Sequence, residues 1–336
     1  MTRNLTSGAP LTRRRFIAVA AAAAGVAPIH NLARAGAPET VTWRGVALGA
    51  NASLTLVHPD AAAAREAIVA CLAEVARLEN IFSLHKPDSA LARLNAMGEL
   101  TDVPADLRVL LSQALLISER TGGAFDPTVQ PLWSLYAGHF RQIDAAREGP
   151  GEAEIENVLR RVGWKHVDIS SEGVRFAKPG MALTLNGIAQ GYITDKAGEL
   201  LKSRGFANVL VNMGEQLALG PKGDERPWSV GIAAPSVPDA IATEIPLSSG
   251  AVATSGGYGT QFDAAGRFPH ILDPRTGRSA TSWASITVVS DRATVADGLS
   301  TALAVLPEAQ AGTILGRNRA YAVTKHGGTG HWIGGA

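Results

Sequence analysis

From residue 41 onward, stretches that alternate with a period of two and stretches with helical spacing succeed one another in no fixed order, and that irregularity is the strongest limit on the fold. Residues 41–57 alternate loosely and read as strands, and 61–78 follow as a long amphipathic helix. Further helices are expected around 105–121, 152–162, 188–205, with Gly205 as the stop, and 295–305. Short strands are expected at 164–169, 173–176, 182–185, 207–219, 228–233, 243–247, 250–253, 285–289 and near 320–325. A regular strand-helix-strand rhythm would build a doubly wound parallel sheet. Without it, the expectation is an α+β chain with mixed, mainly antiparallel sheets and flanking helices. The chain has 336 residues, 46% of them apolar, enough for one large core, and the linker-like stretches 141–151 and 221–227 shift composition too little to divide it.

The N-terminus has a different character. Thr12-Arg13-Arg14-Arg15-Phe16-Ile17 precedes an apolar run over 18–29 and then Ala33-Arg34-Ala35, the layout of a twin-arginine signal peptide over residues 1–35. The apolar run falls short of the roughly 18–20 residues that cross a bilayer. Such a leader implies export of an already folded chain to the periplasm, leaving 36–336 as one mature domain. It carries five arginines and no acid, so the net charge of +1 for the whole chain becomes −4 for the mature part. A mildly acidic protein with dispersed charge is not built to grip nucleic acid. Cys71 lies within the 61–78 helix, reads as buried core, and as a lone cysteine can form no internal disulfide.

Four clusters join glycines to oxygen-bearing or basic side chains. Thr121-Gly122-Gly123-Ala124-Phe125-Asp126-Pro127-Thr128 is, taken alone, an ordinary turn. Leu185-Asn186-Gly187-Ile188-Ala189-Gln190-Gly191-Tyr192, running on to Asp195, enters a helix and can present backbone N–H groups to phosphates or a bare carbonyl to a cation, without the spacing of a Walker or dinucleotide loop. Thr254-Ser255-Gly256-Gly257-Tyr258 is followed by His270-Ile271-Leu272-Asp273-Pro274-Arg275-Thr276-Gly277, where His270 can serve as a base or a phosphate contact and the Asp-Pro segment makes a β-turn. In Asp297-Gly298-Leu299-Ser300-Thr301 a helix would set Asp297 and Thr301 one turn apart on one face, a carboxylate beside a hydroxyl. Hard oxygen donors of this kind suit Mg2+, and an acid in the first helical turn is the competing explanation of Asp297.

In order along the chain, Ser83-x-x-x-Pro87-Asp88-Ser89 with Leu94-Asn95, Thr-Gly-Gly-Ala-Phe-Asp-Pro-Thr, Asn-Gly-Ile-Ala-Gln-Gly-Tyr, Ala-Thr-Ser-Gly, His-Ile-Leu-Asp-Pro-x-Thr-Gly and Ala-Asp-x-x-x-Thr resemble the motifs of the ApbE family of FAD:protein FMN transferases, with a leader and a Gln190 closest to its NosX-like branch. The resemblance implies a Mg2+-dependent transfer of FMN from FAD to a threonine or serine hydroxyl, with AMP released. FAD hydrolysis to FMN and AMP, or flavin binding and delivery without catalysis, are the alternatives. It implies FAD contacts at Leu48, His85, Ala124, Phe125, Asp126, Thr184, Gln190 and Leu272, with Thr254 and Ser255 lining the same cavity. It implies Mg2+ ligands in the Gly187 carbonyl, Asp297 and Thr301, and His270 as the proton acceptor, with Asp273 orienting either the imidazole or its loop. The implied partner is a membrane-linked FMN-binding domain of the NosR, RnfG or NqrC type. Four residues depart from the commonest family pattern: Thr184 in place of Asp, Gln190 in place of Lys, Glu215 in place of a second Gly after Gly214, and Ser300 in place of an additional acid.

Overall fold

A computed structural model describes residues 38–335 apart from 48, 236, 238–239 and 326–329. The expected leader and Leu48 therefore lie outside the described residues. The chain opens with a hairpin, β1 (Glu39–Ala47) and β2 (Ala50–His58), paired from Glu39↔His58 to Ala47↔Ala50. Asp60 then caps α1 (Ala61–Phe82) by accepting the Ala63 N–H at 2.9 Å. Ala64, Ala67, Ile68, Cys71, Val75, Leu78 and Phe82 recur every three or four residues and form its buried stripe. Burial there pushes the Cys71 thiol up to about 12, so it is an inert core residue.

The middle of the chain supplies α2 (Ala90–Met97), β3 (Glu99–Leu100), α3 (Ala105–Arg120), α4 (Gln130–His139), α5 (Glu152–Leu159), β4 (Val167–Ile169) and β5 (Val174–Phe176). Strands β3, β5 and β4 pair into a small antiparallel sheet. The second half contains α6 (Ala189–Ser203), β6 (Val209–Asn212), β7 (Gln216–Leu219), β8 (Trp228–Ala233), β9 (Ile241–Leu247), β10 (Gly250–Gly256), β11 (Trp283–Ser290), α7 (Ala293–Val305), α8 (Glu308–Leu315), β12 (Arg319–Thr324) and β13 (His331–Gly334).

These strands build one antiparallel sheet in the order β1-β2-β6-β7-β10-β11-β12-β13. Its two faces are used differently, because side chains alternate across a strand. Ala251 and Ala253 of β10, Ile286 and Val288 of β11, and Ala320 and Ala322 of β12 join the main core with α1, α6 and α7. Val252, Tyr321 and Val323 point the other way, onto Trp228, Val230, Ile232, Ile245 and Leu247 of the β8–β9 hairpin. Thus β10 is apolar on both sides, and α7 is buried nearly all round. A third, smaller core holds Leu132 and Tyr136 of α4, Ile155 of α5 and Leu272. The α+β expectation with mainly antiparallel sheets holds. Among the described residues no helix is long and apolar enough to cross a membrane.

One expected strand is absent. Residues 182–185 run without strand pairing because the Asn95 side chain takes the place of a neighbouring strand: Leu183 N–H donates to Asn95 Oδ1 at 2.7 Å, and Asn95 Nδ2 donates to Leu183 O at 2.8 Å. Residues 164–166, expected as strand, form a short 3-10 turn ahead of β4. The single strand expected over 207–219 is the β6–β7 hairpin, turning at Met213, Gly214 and Glu215.

Candidate active site

The strand-free segment fixed by Asn95 leads into the glycine turn, and the next residues start α6. Gly191, in the first turn of α6, donates its N–H to Asp297 Oδ2 at 2.9 Å. Asp297 is the fifth residue of α7, beyond its first turn, so the helix dipole is not the reason for an acid there. That N-terminus is instead capped from α6. Asp195 accepts the Ala293 N–H at 2.8 Å, the Thr294 N–H at 3.0 Å and the Thr294 hydroxyl at 2.6 Å, and pairs with Arg292 at 3.3 Å.

One turn after Asp297, the Thr301 hydroxyl donates to the Gly187 carbonyl at 3.4 Å. A Cβ on Gly187 would lie 2.8 Å from Thr301 Oγ1, so only glycine lets the turn come this close. From β10, Ser255 Oγ lies 2.8 Å from Ser300 Oγ and 3.3 Å from Thr301 Oγ1, while Ser300 also donates to the Asp297 carbonyl at 2.9 Å. Three elements thus bring Gly187, Asp297, Thr301 and Ser255 into one cluster. Thr254 does not join it as expected. Its side chain lies on the opposite face of β10 and hydrogen-bonds Thr287 Oγ1 at 2.9 Å. The two-residue alternation of the strand separates the pair.

A residue not expected in the site stands beside it. Glu215, 8% exposed, accepts the Thr254 N–H at 3.3 Å, and its carbonyl accepts the Thr194 hydroxyl at 3.3 Å. Burial pushes its carboxyl well above the ordinary range, and the charge of Asp297 pushes it further. Asp297 is likewise raised by burial and by the charge of Asp195, with the Gly191 N–H working the other way. The sequence signals for Glu215 are its place after Gly214, where the family pattern has a second Gly, and its being the one acid of the hairpin 209–219.

These donors fit a hard divalent cation. Buried carboxyl, hydroxyl and carbonyl oxygens are the set Mg2+ favours, and a cation would relieve the charge the pocket walls otherwise resist. Among the described residues no three His, Cys, Asp or Glu side chains form a metal-binding group.

Beyond Ser255 the chain leaves β10 and forms a long loop before β11. His270 N–H donates to Thr260 O at 3.1 Å, and His270 Nδ1 lies 2.9 Å from the same carbonyl. A carbonyl can only accept, so Nδ1 carries the hydrogen and Nε2 is left as a proton acceptor. Burial lowers the imidazole below its ordinary value, and this hydrogen bond opposes the shift. Asp273 orients the loop rather than the imidazole. It accepts the Arg275 N–H and Nε–H, both at 2.9 Å, and pairs with Arg275 Nη2 at 2.7 Å. Leu272 packs its side chain into the small core with Leu132 and Tyr136.

The first glycine cluster also serves the scaffold. Ala124 and Phe125 are buried in the main core and so offer a ligand no side-chain surface. Asp126 accepts the Thr128 N–H at 2.8 Å, its hydroxyl at 2.6 Å and the Trp164 N–H at 2.9 Å. Burial raises Asp126, offset by those three donors. What the cluster does leave open is a cavity of about 230 Å³ lined by Gly122, Gly123, Asp126, Trp164, Lys165 and Arg275 among others. Thr184 ties this side to the glycine turn, donating its N–H to Pro127 O at 2.8 Å. Gln190 packs against Gly214, and His85 is exposed with its N–H on Ser83 Oγ at 3.1 Å.

Residues 48–324 match the model of the ApbE family. The chain belongs to the ApbE family. It is 30% identical over 299 residues to the FAD:protein FMN transferase of Salmonella typhimurium, covering 84% of this chain and 85% of that one. With the FAD:protein FMN transferase of Treponema pallidum it shares 35% over 248 residues, 68% of each chain. The crystal structure of the ApbE protein of Thermotoga maritima superposes with a TM-score of 0.74 at 31% identity, covering 86% of this chain and 96% of that one. In this ApbE-family protein the glycine turn before α6, the Asp297 and Thr301 pair of α7 and Ser255 of β10 are the motif residues that meet.

Proposed function

We propose that this chain is an FAD:protein FMN transferase that uses Mg2+ and acts in the periplasm after twin-arginine export. The observation that supports this reading best is the convergence of the Gly187 carbonyl, Asp297 and Thr301 on one oxygen-lined cluster in a chain of this family. Those three groups would hold the ion, and Mg2+ when bound would neutralise the FAD pyrophosphate and the departing AMP.

The protein residues then have positional tasks. His270 Nε2 accepts the proton of a threonine or serine hydroxyl on the acceptor protein. The hydroxyl oxygen attacks the phosphorus on the FMN side, the bond between that phosphorus and the bridging oxygen breaks, and AMP leaves with the bond's electron pair. Asp273 holds the His270 loop through Arg275, and Asp195 holds the start of α7, so Asp297 is placed before substrate arrives. The acceptor fitting this chemistry is a membrane-linked FMN-binding domain with a Ser/Thr-Gly-Ala-Thr-like target.

Purified protein, FAD, Mg2+ and such a domain should give a covalently fluorescent acceptor and one AMP per flavin transferred. Asp297→Ala should abolish both. Full labelling by that variant, or AMP release at the same rate without acceptor, would defeat the reading.

A further inference from the structure

Glu215 is the buried acid that the family reading leaves without a task. It ends the β6–β7 turn on the helix-facing side of the sheet, and its Oε2 takes one long hydrogen bond from Thr254 N–H at 3.3 Å. Its Oε1 takes none among the described residues. Arg292, a cation close to the cluster, is engaged by Asp195 and Glu199. Among the described residues, Ser285 Oγ is the one sealed side-chain polar atom without a partner, so the free Glu215 oxygen borders space that solvent or a ligand can enter. Glu215 is held on the N–H of Thr254, the neighbour of Ser255, whose hydroxyl reaches Thr301 Oγ1 at 3.3 Å, so its carboxyl borders the cluster that holds Asp297, with no basic side chain paired to it among the described residues. Burying two such acids is costly unless a cation joins them.

We propose that Glu215 is an additional ligand of the divalent cation, joining Asp297, Thr301 Oγ1 and the Gly187 carbonyl, and that with it the site loads its ion before FAD arrives. The proposal rests on the metal reading above and extends it. Mg2+ gives up water reluctantly, and a site with one carboxylate relies on substrate phosphates to complete the charge. Two carboxylates balance a divalent ion within the protein. Ser300, on the helix beside Asp297, offers only a hydroxyl, so the second acid comes from the β6–β7 turn.

The test uses the mature protein stripped of flavin and metal, titrated with Mn2+ by electron paramagnetic resonance and with Mg2+ by calorimetry, with and without FAD. Wild type should bind one Mn2+ without FAD. Glu215→Gln should weaken that binding at least tenfold, less so once FAD is present, and Asp297→Asn should abolish it. Thermal midpoints supply a readout that a merely structural role would not produce. In EDTA, Glu215→Gln should match or exceed wild type, because Gln fills the same space without a carboxyl that burial and Asp297 both disfavour, while the rise caused by Mg2+ shrinks. Wild-type Mn2+ affinity in Glu215→Gln beside lost affinity in Asp297→Asn overturns the proposal and leaves the metal reading intact. So does a Glu215→Gln variant destabilised in EDTA with an undiminished Mg2+ response. A wild type that binds no Mn2+ with or without FAD overturns the metal reading itself.

Discussion

Gly191 N–H meets Asp297 Oδ2 at 2.9 Å in a contact that leaves no room for a side chain: a Cβ on Gly191 would overlap Ala293 O and lie 2.8 Å from Asp297 Cβ. The approach of α6 to α7 therefore sets where the candidate metal carboxylate points. Gly191→Ala should force the helices apart at a cost of about 1–3 kcal/mol, the range for overpacking a filled interior. Urea unfolding measures that cost. Flavin transfer should fall more than tenfold under conditions where the variant remains folded. Unchanged transfer would mean that the helix approach does not set the carboxylate.

Asp195 tests the same geometry from the other side. Its carboxylate is 5% exposed and receives two backbone N–H groups and a hydroxyl at the start of α7. Asp195→Ala leaves those donors buried and unpaired, at about 1–3 kcal/mol for each group that water cannot reach. We expect a total loss of ~3 kcal/mol in chemical denaturation. Asp195→Asn, which keeps the shape and part of the acceptor set, should lose less.

The cavity beside the first glycine cluster carries a prediction about substrate. Since Ala124 and Phe125 are interior, the proposed FAD contact on this side would be made by the lining residues, above all the Trp164 ring. Trp164→Ala should weaken FAD binding about tenfold, the scale of an aromatic contact of ~1.5 kcal/mol. Trp164→Phe should retain most of the affinity. Flavin-quenching titrations measure both, and equal affinities for wild type and Trp164→Ala would remove the cavity from the FAD site.

The elements with strong periodicity are legible in the sequence itself. The 61–78 pattern is α1, extended to Phe82, and the 228–233 and 243–247 alternations are the β8–β9 hairpin. What periodicity could not reveal was the tertiary substitution of one partner for another. Residues 182–185 look like strand, yet their backbone is satisfied by the Asn95 side chain, 88 residues from Leu183. Asp195 looked like part of the glycine motif and is a cap for a different helix. Thr254 and Ser255 adjoin in sequence and point to opposite faces of one strand. Asp297 and Thr301 were readable because helical spacing is local. Glu215 was not, because its neighbours come from α6, α7 and β10.

The base role proposed for His270 carries a pH dependence. Its imidazole is held below the ordinary value by burial, against the hydrogen bond to Thr260 O. The native state therefore takes up its proton at lower pH than the unfolded chain, whose histidine titrates near ~6.5. Between those two values the unfolded state binds more protons, so stability is fully present above about 6.5 and declines as pH falls toward the native value. Transfer by the neutral imidazole should follow the same direction, with kcat/KM falling on an acid limb centred below ~6.5. His270→Ala should abolish that limb and lower the rate by about 10²–10⁴, the range for removing a general base. A profile whose acid limb survives in His270→Ala would assign the proton transfer to another group.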